Sequence, residues 1–278
     1  MGRSDTLHGR SRGDVRRHPA LFPHGGAFGR GPPAPHESRL REKAVKVAIH
    51  QPHYLPWLGY LAKWAEADVF VFLDTVQFEK NGWQNRNRIK TAAGPQWLTV
   101  PVRARLGTAI ADVAIDTGQP WARRHLRAIE LAYGRAAGWA GYGEDLRAFY
   151  SRPWGELAAL AVANACWLAS ALGIATPSRL ASELTVTATD PTERLVEICR
   201  AVGGTTYLAG RDGVQYMDLK RFRHAGLEVR AQAYEPPIYP QLHGPFVPAL
   251  SGLDLLLSNP LSALAILRRG DTWAPLGP

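Results

Sequence analysis

The chain has 278 residues, 46% of them hydrophobic and 9% aromatic, with a formal net charge of +9. That composition supplies a packed core and excludes a fibrous or low-complexity chain. Residues 1–43 hold nine Lys/Arg against four Asp/Glu, +5 of the total, so residues 44–278 carry only +4 and lack the charge density of a nucleic-acid-binding domain.

The first 43 residues also contain seven Gly and five Pro without an apolar period, and are expected to form a disordered basic tail. They lack the continuous apolar region of a secretory leader. Residues 44–278 are read as a single α/β domain. "KVAIH" is a short strand, "LGYLAKWAEA" has helical spacing, and "VFVFLD" is an apolar strand ending on Asp74. That is a β-α-β unit, with a connection long enough for a right-handed crossover between parallel strands. "RNRIKT" and "QWLTVPV" follow as strands about the turn signal Ala93-Gly94-Pro95. A helical region then spans about 119–175, its first helix marked by Trp121, Leu126, Ile129 and Tyr133.

Within that region "LAALAVANACWLASALGIA" contains Asn164 and Ser170 and is read as a buried helix rather than a membrane span. Cys166 and Cys199 sit in apolar helical runs without metal-ligand spacing, which suits core thiols in a reducing cytoplasm. A later helix is expected after Asp190, a capping residue, with Pro191 at its first position. "TTYLAG" and "GLEVRAQAYE" read as further strands. The fold class is therefore α/β with a parallel sheet and a helical insertion.

In such folds ligands bind beyond the carboxyl ends of the parallel strands. The loops there carry His50, Gln51, His53 and Tyr54; Asp74, Thr75 and Gln77; Gly210, Arg211 and Asp212; and Tyr239 to Gly244. His50 and His53 have three readings: structural histidines, a zinc pair completed by Asp74, or imidazoles that face a phosphate at a helix amino terminus. In the third reading, ligand binding should weaken as pH rises past about 6.5, where an ordinary histidine loses its charge. Arg86, Arg88 and Lys90 alternate along one strand face, with Asn85 and Asn87 on the other. This row is either a solvated edge or a strip that holds an anionic substrate.

The arrangement strand-H-x-x-H-helix is similar to the nucleotidyltransferase and pantothenate-synthetase-like group, whose motif reads His-x-Gly-His; Pro52 replaces that glycine here. The likeness implies a Rossmann-like core. More specifically, "IHQPHYLPWLGYLAKWAEADVFVFLDTVQFEKNGWQNRNRIKT", "WLTVPV", "WARRHLRAIELAYG", "TYLAGRDGVQYMD" and "YPQLHGPFVPALSGLDLLLSN" resemble the WbqC-like family over residues 45–259. That resemblance implies a bacterial setting of polysaccharide and amino-sugar biosynthesis. Its matching polar positions are His50, Gln51, Tyr54, Trp57, Asp74, Gln77, Asn85, Arg86, Arg88, His125, Gly210, Tyr239, Gln241 and Ser251.

Together the likenesses imply a nucleotide-dependent enzyme that passes an acyl or aminoacyl group to an amine. His50, His53 and Asp74 would be catalytic, and the other loop residues, with Arg86, Arg88 or Lys90, would hold an anionic substrate. ATP or another nucleotide is the implied cofactor, and Mg²⁺ is compatible with it. The rival readings are a non-catalytic nucleotide-sugar or partner-binding protein that uses Trp57, Trp83 and Trp97, and a nucleic-acid-associated protein that uses the basic tail.

Overall fold

The structure, a computed structural model, describes residues 44–210 and 213–276. The expected tail and the loop residues Arg211 and Asp212 lie outside the described residues. In chain order the elements begin β1 (Lys46–His50), α1 (Leu58–Glu66), β2 (Val69–Phe72), β3 (Arg86–Thr91), β4 (Gly94–Thr99), β5 (Val102–Arg103) and β6 (Ala114–Ile115). Three helices follow, α2 (Trp121–Tyr133), α3 (Trp139–Ser151) and α4 (Leu157–Ala171), then β7 (Ser178–Leu180), α5 (Pro191–Ala201) and β8 (Thr206–Ala209). The chain continues through α6 (Leu219–His224), β9 (Glu228–Tyr234), α7 (Gly252–Ser258), α8 (Ala263–Arg269) and β10 (Asp271–Pro275).

Six strands form one sheet in the order β10-β9-β8-β1-β2-β7. All its neighbours run parallel except β10, which pairs antiparallel with β9. The fold is thus mixed α/β with a mostly parallel central sheet. From β1 the chain moves outward to β2 and then β7, and later returns to the other flank of β1 to lay down β8 and β9. The direction of winding reverses between β1 and β8, which opens a crevice at their carboxyl ends.

Strand alternation assigns the two faces. Val47, Ile49, Val71, Tyr207, Ala209 and Val229 pack under α5 and α6, whereas Ala48, Phe70, Phe72 and Leu208 meet α1, α4 and α8. A separate core joins the β3–β4 hairpin to α2, α3 and the amino-terminal half of α4. α4 and α7 each contribute leucines to both that core and the core under α1, so they tie the helical region to the sheet.

Local signals carry several elements. Asp190 accepts from the Glu193 amide at 3.0 Å, with Pro191 opening the helix, as the capping pattern requires. The hairpin turn falls one residue earlier than the Ala93-Gly94-Pro95 signal suggests: Thr91 pairs with Gly94, and Gly94 takes φ +102° to begin β4. Among the described residues no helix is long and apolar enough to cross a membrane. The most apolar run is α4, whose Asn164 is buried and engaged by the chain, as described below.

Candidate functional site

The loop after β1 makes one wall of the crevice and is held in an unusual path. Leu55 is fully buried at φ +51°, a left-handed conformation that a branched side chain disfavours. Two buried amides hold it there. Its N–H donates to Asn164 Oδ1 at 2.8 Å, and its carbonyl accepts from Asn87 Nδ2. Trp57 folds back over Gly59, where an added Cβ would lie 2.2 Å from the indole ring, and meets Tyr234 edge to face at 5.6 Å. The motif P-W-L-G-Y therefore has a steric reason for its glycine.

Beyond these strand ends lies a cavity of about 780 Å³, a size suited to a small-molecule ligand. His50, Gln51, His53 and Trp57 line it from the β1 loop, and Gly59, Tyr60 and Lys63 from α1. Gly210, Gly213 and Gln215 close it beyond β8, and Gln232 and Tyr234 beside them on β9. Glu79, Trp83 and Ala249 stand at its remaining edge.

Two basic groups of this cavity, Lys63 and His53, are buried, and among the described residues Lys63 makes no ion pair. Lys63 is only 2% exposed, and Nζ donates to the Ile49 carbonyl at 3.1 Å; burial pushes its ammonium from 10.5 down to about 7. His53 lies 4.6 Å from His50 and stacks on Tyr60 at 5.0 Å. Burial, with the nearby Lys63 charge, lowers His53 to about 3, and among the described residues its Nδ1 has no hydrogen-bond partner. The same two causes, joined by His53, hold His50 well below the usual imidazole range. Both histidines are neutral at pH 7. An anion-binding charge that titrates near 6.5 on the histidines is therefore corrected: the group that titrates near neutrality is Lys63.

Five of the expected positions converge on the cavity: His50, Gln51, His53, Trp57 and Gly210. The others do not line it. Asp74 is buried at the end of the β2 connection, where both carboxylate oxygens accept from Ser182, one from its amide at 2.9 Å and the other from its hydroxyl. It latches β2 to the turn after β7. Gln77 is exposed and bridges to Ala109.

Tyr54 is buried in the helical-region core, its hydroxyl bonded to His125 Nδ1 at 2.9 Å and to Tyr150. Burial lowers His125 to about 4. Asn85 Nδ2 donates to the Val100 carbonyl at 2.8 Å. Gln241 clasps both backbone groups of Val247, and the Tyr239 hydroxyl donates to Asp254 Oδ2 at 2.8 Å.

The basic row splits up. Arg86 and Arg88 lie 4.5 and 5.5 Å from the Trp97 ring centre, and Arg86 also donates to Asn81. Lys90 is buried, its Nζ donating to the Gly244 and Pro245 carbonyls at 3.0 and 2.6 Å. The row is neither a solvated edge throughout nor a lining of the cavity. Arg88 stands behind the cavity wall, donating to the carbonyl of Ala249, which lines it and holds φ +55°.

Sequence reasoning missed Lys63, Tyr60, Glu79 and Gln232, whereas Trp83, named for the binding-protein reading, does reach the cavity. The signal for Lys63 was present: α1 is apolar almost all round, and Lys63 is its lone charge before Glu66. Among the described residues no group of three or more His, Cys, Asp or Glu is placed to hold a metal ion. Asp74, committed to Ser182, does not complete a zinc site with the two histidines. Among the described residues that line the cavity, Glu79 is the one carboxylate, and these residues by themselves do not provide the oxygen cage of a protein-bound Mg²⁺.

The fold and the cavity define a mixed α/β protein with a ligand-sized cavity at the point where the winding of its sheet reverses. The chain belongs to the WbqC-like protein family, whose model matches residues 51–266. A relative in Mycobacterium tuberculosis, "Uncharacterized protein Rv1507c", is 38% identical over 230 residues, covering 80% of this chain and 97% of the relative. No solved structure matches the chain significantly.

Proposed function

We propose that this cavity is the active site of a transferase or ligase that passes a carboxylate-derived acyl or aminoacyl group to an amine in a nucleotide-dependent reaction. The observation that carries this reading is the convergence of Lys63, His50 and His53, poorly solvated basic groups, on one ligand-sized cavity at the switch point. An amine acceptor must lose a proton as its nitrogen attacks the activated acyl carbon. The amide bond forms, the activating group leaves with the electron pair of its bond, and the proton needs a base. His50, neutral at pH 7 and with Nδ1 on the Gln51 carbonyl, has Nε2 left to receive it.

Trp57, Tyr60 and Tyr234 provide apolar walls, and Gln51 and Gln232 provide hydrogen-bonding groups. The likeness to nucleotidyltransferase-like proteins supports ATP or another nucleotide as the activating reagent, with metal brought by that nucleotide rather than held by a protein cage. The family setting supports an amino sugar as the acceptor.

One observation favours the binding-protein reading. Trp83 and Trp97 are 39% and 44% exposed, lie 5.7 Å apart, and Trp83 reaches the cavity edge. Turnover separates the two readings. With ATP, Mg²⁺, a panel of carboxylic acids and hydroxylamine as a surrogate amine, hydroxamate should form in step with ATP consumption, and His50→Ala should abolish it. Calorimetric binding of nucleotide with no product from any acid would turn the conclusion toward a binding protein.

A further inference from the structure

We propose that Lys63, flanked by His50 and His53, forms an oxyanion-binding subsite at the floor of the cavity, taking a carboxylate or phosphate group of the ligand. The proposal deepens the function given above and relies on it only for the use of this cavity; the subsite can be tested without turnover.

A buried ammonium has three N–H donors and a charge to satisfy. Among the described residues, Lys63 makes one hydrogen bond, to a neutral carbonyl, and no ion pair. Among the described residues, groups on each neighbouring element leave it uncompensated. His50 from β1 and His53 from the following loop are neutral, and Tyr60 on α1 and Tyr234 on β9 are phenols whose ionisation burial opposes. Glu66, one turn along α1, pairs with Lys46 at 2.6 Å.

Asp271 on β10 accepts from Gln232 and from the Trp273 indole, each at 2.8 Å. Cys166 on α4, whose thiol burial pushes up, stands near Tyr60. Glu79 is an exposed residue at the cavity edge. Among the described residues, the carboxylates around α1 are thus hydrogen-bonded, ion-paired or at the rim, and Lys63 lines the cavity.

The surroundings also leave room for an anion. Gly210 lines the cavity beside the ammonium: a Cβ there would stand 3.7 Å from Lys63 Nζ, an ordinary contact distance. His53 Nδ1 is buried, in a residue 5% exposed, without a partner among the described residues, and is available to donate in the appropriate tautomer. An oxyanion placed among these groups would satisfy the ammonium and at least one imidazole at once. It would also favour the protonated lysine, so binding takes up a proton wherever free Lys63 is mostly neutral.

Sulfate and acetate are suitable probes, because neither titrates between about pH 6 and 9, where Lys63 does. Their affinities can be read from tryptophan fluorescence, and proton uptake from calorimetry in buffers of different ionisation enthalpy. For the full chain, affinity should be level below about pH 7 and fall about tenfold per pH unit above it, with uptake approaching one proton per anion near pH 8. Lys63→Met should weaken binding at least about tenfold at pH 6.5 and remove both pH effects.

The stronger of the two probes tells whether the natural group is phosphate-like or a carboxylate. Absence of binding by both anions, binding to the unmutated chain without proton uptake at pH 8, or equal affinity in a folded Lys63→Met variant would each overturn the subsite. Anion binding as described, with no hydroxamate formation, would leave the subsite standing and remove the acyl-transfer reading alone.

Discussion

Two lysines of this protein are almost fully buried, Lys63 at 2% and Lys90 at 1% exposure, and their surroundings differ in kind. The Lys90 ammonium donates to two carbonyls of the loop after β9, at Gly244 and Pro245, and its charge acts on buried Asp254. Asp254 in turn accepts from the Tyr133 and Tyr239 hydroxyls, each at 2.8 Å, and Tyr133 accepts from the Lys90 amide. That network is filled by the protein itself. Around Lys63 the described residues supply one carbonyl and a cavity. Burial of a charge therefore does not identify a functional group; what distinguishes Lys63 is that its electrostatic needs are left for something else to meet.

The comparison predicts opposite consequences for the same substitution. Lys90→Met leaves two carbonyls and a buried carboxylate without their cation and should destabilise the chain by about 3 kcal/mol, read from denaturant melts. Lys63→Met removes a cation held at a cost and should be neutral or stabilising near pH 6. Equal losses from both variants would erase the distinction between the two sites.

An intermediate effect is expected from Asn164→Ala, which takes away the acceptor of the buried Leu55 amide. The cost should be about 2 kcal/mol, and anion binding should weaken as the β1 loop relaxes from its left-handed turn. Unchanged sulfate affinity in that variant would show that the loop keeps its path without the clamp.

The remaining effect is a pH dependence, gentle over any single pH unit. The folded-state value of Lys63, about 7, lies below its ordinary 10.5, so between those values the unfolded chain holds more protons than the native one. Stability attributable to Lys63 therefore rises with pH through that window, by at most about 1.4 kcal/mol per pH unit, and is level below it. The difference between the melting profiles of the unmutated chain and Lys63→Met isolates this slope. Parallel profiles from pH 7 to 10 would mean that the native lysine keeps an ordinary affinity for protons.

Much of the frame follows from short-range pattern. The run of β1, α1 and β2 reads as a β-α-β unit because a two-residue period gives way to a helical one, and α5 is announced by Asp190 and Pro191. The loop after β1 could be named as a site because the carboxyl ends of parallel strands are where such crevices open. β7, three residues long, has no period to recognise, and β10, the antiparallel edge, ends in a proline that only an edge position tolerates.

What sequence alone determined is therefore the α/β class, the order of its early elements, the polar β1 loop and the family resemblance. Which polar residues face the ligand cavity was decided in three dimensions. Arg86, Arg88 and Lys90 alternate as a binding strip should, yet Trp97 and distant loop carbonyls occupy them; Asp74 ends its strand connection as a catalytic acid might be placed, yet Ser182 takes both its oxygens. Lys63, on a helix where a lysine ordinarily reaches solvent, is enclosed by the sheet and neighbouring helices. The physical reason is that periodicity fixes the side of an element a residue occupies, whereas its charge state and availability depend on partners remote in the chain: Ser182 lies 108 positions from Asp74, and Gly244 lies 154 from Lys90.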